Sequence, residues 1–176
     1  VWWVQDYGTN VPFVGIPGDH EFSFETGFGA NAHIGYRLCE MFAVSLEGGF
    51  YQADTDAVTL PAGLGTFAAT DGQLRLFPIM LNGTATFPIT ERLMIYAGVG
   101  VGPVYRELEA TVPTVALLTS FHDSGWDFMV QARGGLMYEV GRCMYVNVGY
   151  RWNRVFTSPD DINGHMVEAG FTYMWD

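Results

Sequence analysis

Residues 22–38 read FSFETGFGANAHIGYRL. The even positions are Phe22, Phe24, Thr26, Phe28, Ala30, Ala32, Ile34, Tyr36 and Leu38; the odd ones are Ser23, Glu25, Gly27, Gly29, Asn31, His33, Gly35 and Arg37. One set is apolar or aromatic with a single Thr, and the other is Gly, polar or charged. A period of two sends successive side chains to opposite faces of a strand. A helical period of 3.6 would mix the two sets. The run predicts one strand over 22–38, long beside the usual strand of about 5–6 residues.

The same alternation returns along the chain. Strands are expected at 42–51, 73–87, 92–105, 126–140, 144–152 and 167–175, with a short one at 1–7. That makes eight strands in a single domain spanning 1–176, opened by a short strand and a Gly/Pro-rich loop over 1–20. The connections alternate in length. Those at 38–41, 88–91 and 141–143 are tight turns, whereas 8–20, 53–72, 107–124 and 155–164 read as long loops. Tight turns make antiparallel hairpins. One end of the sheet then carries only turns and the other carries the loops, as transmembrane barrels do.

Two solvents are possible for the apolar face. A soluble, lipocalin-like barrel would turn it inward, and an outer-membrane barrel would turn it to lipid. Large aromatics gather near the strand ends: Phe22, Trp126 and Trp152 towards the loops, Tyr36, Phe42, Tyr173 and Trp175 towards the turns. Girdles of this kind mark membrane interfaces. Eight strands also leave too narrow an interior for so many rings. The polar set is rich in glycine and mixes charge signs through Glu25, His33, Arg37, Glu47, Arg133, Glu139, Arg151 and Glu168. A narrow lumen filled by small residues and paired ions fits that set. The expected fold is all-β, an eight-stranded antiparallel up-and-down transmembrane β-barrel with a plugged lumen.

Composition narrows the function. Nineteen acids against eight Arg give a formal net charge of −11, with no Lys, which argues against a nucleic-acid partner. No run of about 20 apolar residues supplies a transmembrane helix. Cys39 and Cys143 are too few for a disulfide scaffold. They fall in turns on opposite sides of an eight-strand ring, so no bond between them within one chain is expected.

The segments TGFGANAHIGYRL (26–38), FAVSLEGGFY (42–51), LMIYAGVGVGPVY (93–105), MYVNVGYRW (144–152) and EAGFTYMW (168–175) together resemble the small eight-stranded outer-membrane barrels of Gram-negative bacteria, the OmpA-transmembrane-domain-like or porin-like group. The resemblance covers 22 to the end. It implies residence in the cell outer membrane, with outer-membrane lipid as the surrounding partner. Family members end on an aromatic assembly signal; here Trp175 is followed by Asp176.

Chemistry-bearing motifs are sparse. Gly98-Val99-Gly100-Val101-Gly102 lacks the strand-to-helix context of a dinucleotide loop and reads as lumen glycines making room for larger side chains. His33 has no second His or Cys at ligand spacing, so no metal or other cofactor is expected. Ser120, His122 and Asp123 crowd one expected loop, but a nucleophile, base and orienter must converge in space. No enzyme is expected; a lipid-modifying one remains the least favoured alternative and a small passive pore the runner-up. The loop end is acidic at Asp54, Asp56, Glu107 and Glu109, and unusually apolar at Leu60, Leu64, Phe67, Val115, Leu117, Leu118 and Phe121. Apolar patches facing water usually mark contact sites. The leading expectation is a structural or anchoring barrel whose loops touch another surface protein or copies of itself.

Overall fold

The computed structural model describes residues 1–4, 7–9, 20–60, 65–68, 71–113, 118–141, 143–157 and 161–173. They form eleven strands: β1 (Trp2–Val4), β2 (Tyr7–Thr9), β3 (His20–Phe24), β4 (Phe28–Arg37), β5 (Phe42–Leu60), β6 (Gly65–Ala68), β7 (Asp71–Pro88), β8 (Leu93–Pro113), β9 (Leu118–Gly141), β10 (Met144–Phe156) and β11 (Ile162–Tyr173). Every ladder is antiparallel, in the order β1-β11-β10-β9-β8-β7-β5-β3-β2, with β4 and β6 also on β5. β1 and β2 lie along one line, since Trp2 bridges Gly27 while Tyr7 pairs with Phe22. Counting β1 with β2 and β3 with β4, eight staves curl into a nearly closed barrel. Closure satisfies the backbone groups that a bilayer cannot.

Outside, rings line one rim. Phe28 meets Phe50 at 5.9 Å between centroids, Phe50 meets Phe77 at 5.3 Å, Phe77 meets Tyr105 at 6.4 Å, and Tyr105 meets Trp126 at 5.4 Å. These five staves carry the loop-side girdle. The turn-side girdle holds the exposed Tyr36, Phe42, Phe87, Tyr138 and Tyr173. Between the girdles Ile34, Leu46, Leu81, Val99 and Val148 are exposed. From Phe77 to Phe87 the strand rises about 34 Å, or about 26 Å along the membrane normal at a tilt of about 40°, matching an apolar band of about 25 Å. Trp152 is half-buried. Trp175 lies outside the described residues, as does the side chain of Phe22.

Three expectations need correction. The stretches 53–72 and 107–124 are largely strand: β5 runs on to Leu60, β7 begins at Asp71, β8 reaches Pro113 and β9 starts at Leu118. Alternation persists there but its polarity inverts. On β7, Phe77 and Ile79 face out and are exposed, whereas beyond the rim Leu74 and Leu76 face in and are buried. Water replaces lipid outside, so apolar side chains move to the inner face without any change of register. The same extension trims the loop expected at 155–164, since β10 ends at Phe156 and β11 begins at Ile162.

The run 22–38 is not one strand. It breaks at Glu25–Thr26, and the register against β5 shifts between Ser23↔Ala57 and Phe24↔Thr55. The register is the same on either side, at Ser23↔Ala57 and Phe28↔Gln52, so the two faces exchange only locally, at the irregularity itself. Phe24 therefore packs against the buried core, and Glu25 is exposed instead of entering the lumen.

Candidate functional site

Parity puts Glu47 of β5, Asn82 of β7, Tyr96 of β8, Gln131 and Arg133 of β9, Arg151 of β10 and Glu168 of β11 on the inner face. They meet at mid-barrel. Arg151 is fully buried, as is Glu47. Arg151 Nη1 donates to Glu47 Oε1, to the Tyr51 hydroxyl at 3.0 Å and to Gln131 Oε1 at 2.8 Å. Its Nε donates to Glu168 Oε2 at 2.9 Å. Asn82 Nδ2 donates to the other Glu47 oxygen at 3.0 Å, and Gln131 Nε2 donates to Asn82 Oδ1 at 2.6 Å. Arg133 stands 3.5 Å from Glu47 and donates to Thr84 Oγ1 at 3.0 Å. Tyr96 donates to Glu168 at 3.3 Å. Two carboxylates and two guanidiniums thus cross-tie six staves. The mixed signs follow from burial, since an unpaired charge there costs several kcal/mol.

Glycine makes this possible. A Cβ at Gly149 would run into the Tyr96 hydroxyl, and one at Gly100 would meet the Asn82 side chain. The large side chains lie across strands that have none at those points, in the role read for the glycine run of β8.

On the loop side of the network the interior is mainly apolar. Trp2, Tyr51, Leu74, Leu76, Met80, Met129, Val155 and Met166 form one buried cluster. Trp2 tilts against Tyr51, ring centroids 5.6 Å apart. Turnwards, a cavity of ≈ 40 Å³ is lined by His33, Arg37, Ser45, Tyr96 and Arg133, among others. His33 Nε2 lies 3.4 Å from Thr172 Oγ1, while its Nδ1 is buried with no hydrogen-bond partner. Arg37 donates to the Tyr145 hydroxyl at 3.1 Å. Glu139 sits at the turn end beside Glu91 and Arg92. Of the eight residues expected in a lumen network, Glu47, Arg133, Arg151 and Glu168 join one cluster. His33 and Arg37 line the cavity below it, Glu139 lies lower, and Glu25 is outside. Tyr51, Asn82, Tyr96 and Gln131 were missed, although the inner-face parity of Asn82, Tyr96 and Gln131 was available as a signal.

Beyond the loop-side rim, the outward face is charged. Asp54, Asp56 and Glu109 are exposed. Arg75 stands 3.9 Å from Glu107, and His122 Nδ1 stands 3.2 Å from Glu109. On the inner face Arg106 donates to Asp127 at 2.8 Å and to Asp123 at 2.7 Å. Burial opposes the Arg106 charge, but these two carboxylates outweigh it and hold its pKa above the ordinary value. His122 and Asp123 therefore engage partners on opposite faces of β9. The side chains of Leu60, Phe67, Leu118, Phe121 and Ser120 lie outside the described residues, although their backbones continue β5, β6 and β9. Leu64, Val115 and Leu117 lie outside them altogether. Cys39 and Cys143 are both free. Among the described residues no group of three or more His, Cys, Asp or Glu could hold a metal ion.

Comparison with known proteins agrees with this architecture. A family model described as "Outer membrane protein beta-barrel domain" matches residues 6–174. The crystal structure of Neisserial surface protein A is similar at 14% identity over 98% of this chain and 91% of that one, with a TM-score of 0.56. More distant are Ail of Yersinia pestis, at 13% identity over 98% and 93%, and AlkL in lipid bilayers, at 19% over 98% and 88%, with TM-scores of 0.43 and 0.41. No curated protein sequence matches the chain. With nearly its whole length matched and the girdles and polar lumen in place, the chain belongs to the outer membrane protein β-barrel family of Gram-negative bacteria.

Proposed function

We propose that this barrel is a closed anchor. It holds a β-sheet wall and its apolar tips above the outer membrane, where the tips contact a second copy of the chain or another surface protein. One observation carries the closed reading: Arg151, fully buried, binds Glu47, Tyr51, Gln131 and Glu168 across the lumen. The apolar cluster above it supports the same reading, since ions crossing it would lose their water. Planar-bilayer recording is the test. The folded protein should give no steady conductance; stable channel steps would replace this reading with the small pore.

Partner contact rests on the tips. Strand pairing carries Val58 opposite Phe67 and Pro113 opposite Leu118, beyond the girdle. Apolar residues there, above an acidic wall, suit protein contact better than solvent. Leu117→Asp with Leu118→Asp should lower the native mass of an assembly while the barrel stays folded. A wild type that is strictly monomeric in native mass spectrometry and binds no surface protein would end this reading.

A further inference from the structure

Two prolines interrupt the sheet just below the loop-side girdle. β5 and β7 pair at Gly48↔Ile79 and again at Tyr51↔Leu76, but not between. β7 and β8 pair at Pro78↔Val104 and again at Leu81↔Val101, with a gap of the same length. The register is equal on either side of each gap, so no residue is inserted. Opposite residues of an antiparallel ladder exchange both backbone bonds or neither, in alternation. Proline has no N–H to exchange. Pro78↔Val104 and Pro103↔Phe128 are intact pairs, so neither proline turns its nitrogen to those partners. Pro78 turns it instead to Gly49 of β5, and Pro103 to Ile79 of β7. The carbonyls of Gly49 and Ile79 therefore lose their ladder donors.

The two carbonyls differ in what covers them. A Cβ at Gly102 would stand 1.9 Å from the Ile79 oxygen, so the Gly102 Cα–H faces that oxygen and serves as a weak donor. A Cβ at Gly49 would lie 3.1 Å from Pro78 Cγ, which puts the proline ring against the lumen side of Gly49. On the lipid side a groove of ≈ 560 Å³ reaches Gly49 and Pro78. It is lined by the small Ala30, Ala32 and Gly48 and by the girdle rings of Phe50, Phe77 and Trp126.

We propose that this groove seats one acyl chain of an outer-leaflet lipid whose head end carries an amide N–H or a hydroxyl, and that this group donates to the Gly49 carbonyl. The groove is continuous with the lipid-facing belt of Ile34, Leu46 and Leu81, so its occupant comes from the bilayer. A carbonyl in the hydrocarbon region needs a donor, and the strand opposite has none to give. The lining holds no Asp, Glu, Lys, Arg or His, so it reads neither a phosphate nor an ammonium. Gly49 lies one residue below Phe50, at the depth where chains join their headgroups. A chain joined there by an ester brings only acceptors and is the disfavoured ligand.

Photolabelling in phosphatidylcholine vesicles tests this with two probes, sphingomyelin and phosphatidylcholine, each carrying a diazirine near the head of one chain. They share a headgroup, but only sphingomyelin has an amide N–H and a free hydroxyl. Adducts are mapped by mass spectrometry on residues 48–50 and 77–79, relative to residues 146–150 on another face of the barrel. Sphingomyelin should label the groove about fivefold more than phosphatidylcholine, the preference expected from one net hydrogen bond. Pro78→Ala gives Gly49 a ladder donor and should abolish the preference. Gly48→Leu gives a reading that does not depend on how Pro78→Ala folds. A Cβ at Gly48 meets nothing within 4 Å, so this side chain fills the groove without a clash and should bring both lipids down to the reference level. Folding is checked by the heat-dependent gel shift. Equal labelling by the two lipids would overturn the proposal and leave interfacial water as the donor. A preference that survives either variant would also overturn it. So would a groove labelled by neither lipid, in which case a doubled native mass would name a second copy as the occupant.

Discussion

Two parts of β5 obey one alternation under opposite solvents. In residues 42–50, Leu46 faces lipid at 54% exposure while Glu47, facing in, is fully buried. In residues 51–57, Asp54 faces out to water while Ala53 and Thr55 face in. The strand does not change register between them. Only the outer medium changes, and the interior changes with it. In the belt the apolar side chains are spent on lipid, so the lumen must be held by hydrogen bonds and ion pairs. In the wall the interior collects the apolar side chains, as a water-soluble barrel does. The wall is thus stabilised by burial and the belt interior by satisfied charge, and substitutions should separate the two.

The largest effect is expected in the belt interior. Arg151→Ala leaves Glu47 and Glu168 buried without their main partner and should cost about 3–5 kcal/mol. Replacing Glu47 and Arg151 together by Leu and Met should recover much of that loss, because no lone charge remains. Urea unfolding in detergent, followed by tryptophan fluorescence, measures both. If the double variant is no better than the single one, the network contributes more than mutual neutralisation.

In the wall interior, Leu74→Ala removes a fully buried side chain and should cost about 2–5 kcal/mol by the same measurement. A negligible cost would mean the wall is not packed as a core.

The outer face gives the sharpest contrast. Leu46→Arg places a charge at the middle of the lipid-facing band and should cost about 2–4 kcal/mol. Asp54→Arg, on the same face of the same strand, should change stability by no more than about 0.5 kcal/mol. Equal costs would move the boundary between lipid and water away from the Phe50 girdle.

The smallest effect lies in a turn. Cys143 has φ of 60°, the left-handed region that penalises a side chain. Cys143→Gly should stabilise the barrel by about 1 kcal/mol. Failure to stabilise would mean that the Cys143 side chain makes compensating contacts in the turn.

Alternation along the chain was enough to count the staves, to put Tyr36, Phe42 and Trp126 on the outer face, and to send Glu47, Arg133, Arg151 and Glu168 inward. A period of two reports the face of each residue directly, and inside the belt lipid enforces it. It does not report neighbours across a lumen. Glu47 and Arg151 stand 104 positions apart, and only the curvature and stagger of the closed sheet bring them together. The bulge at Ser23/Phe24 was equally hidden, because alternation continued through it in the sequence while the fold exchanged its faces locally and carried Glu25 outside. The length of the wall escaped for a related reason. Beyond Phe77 and Tyr105 the strands keep their pairing while the apolar residues change sides, and which side faces water is a property of the assembled barrel in its membrane.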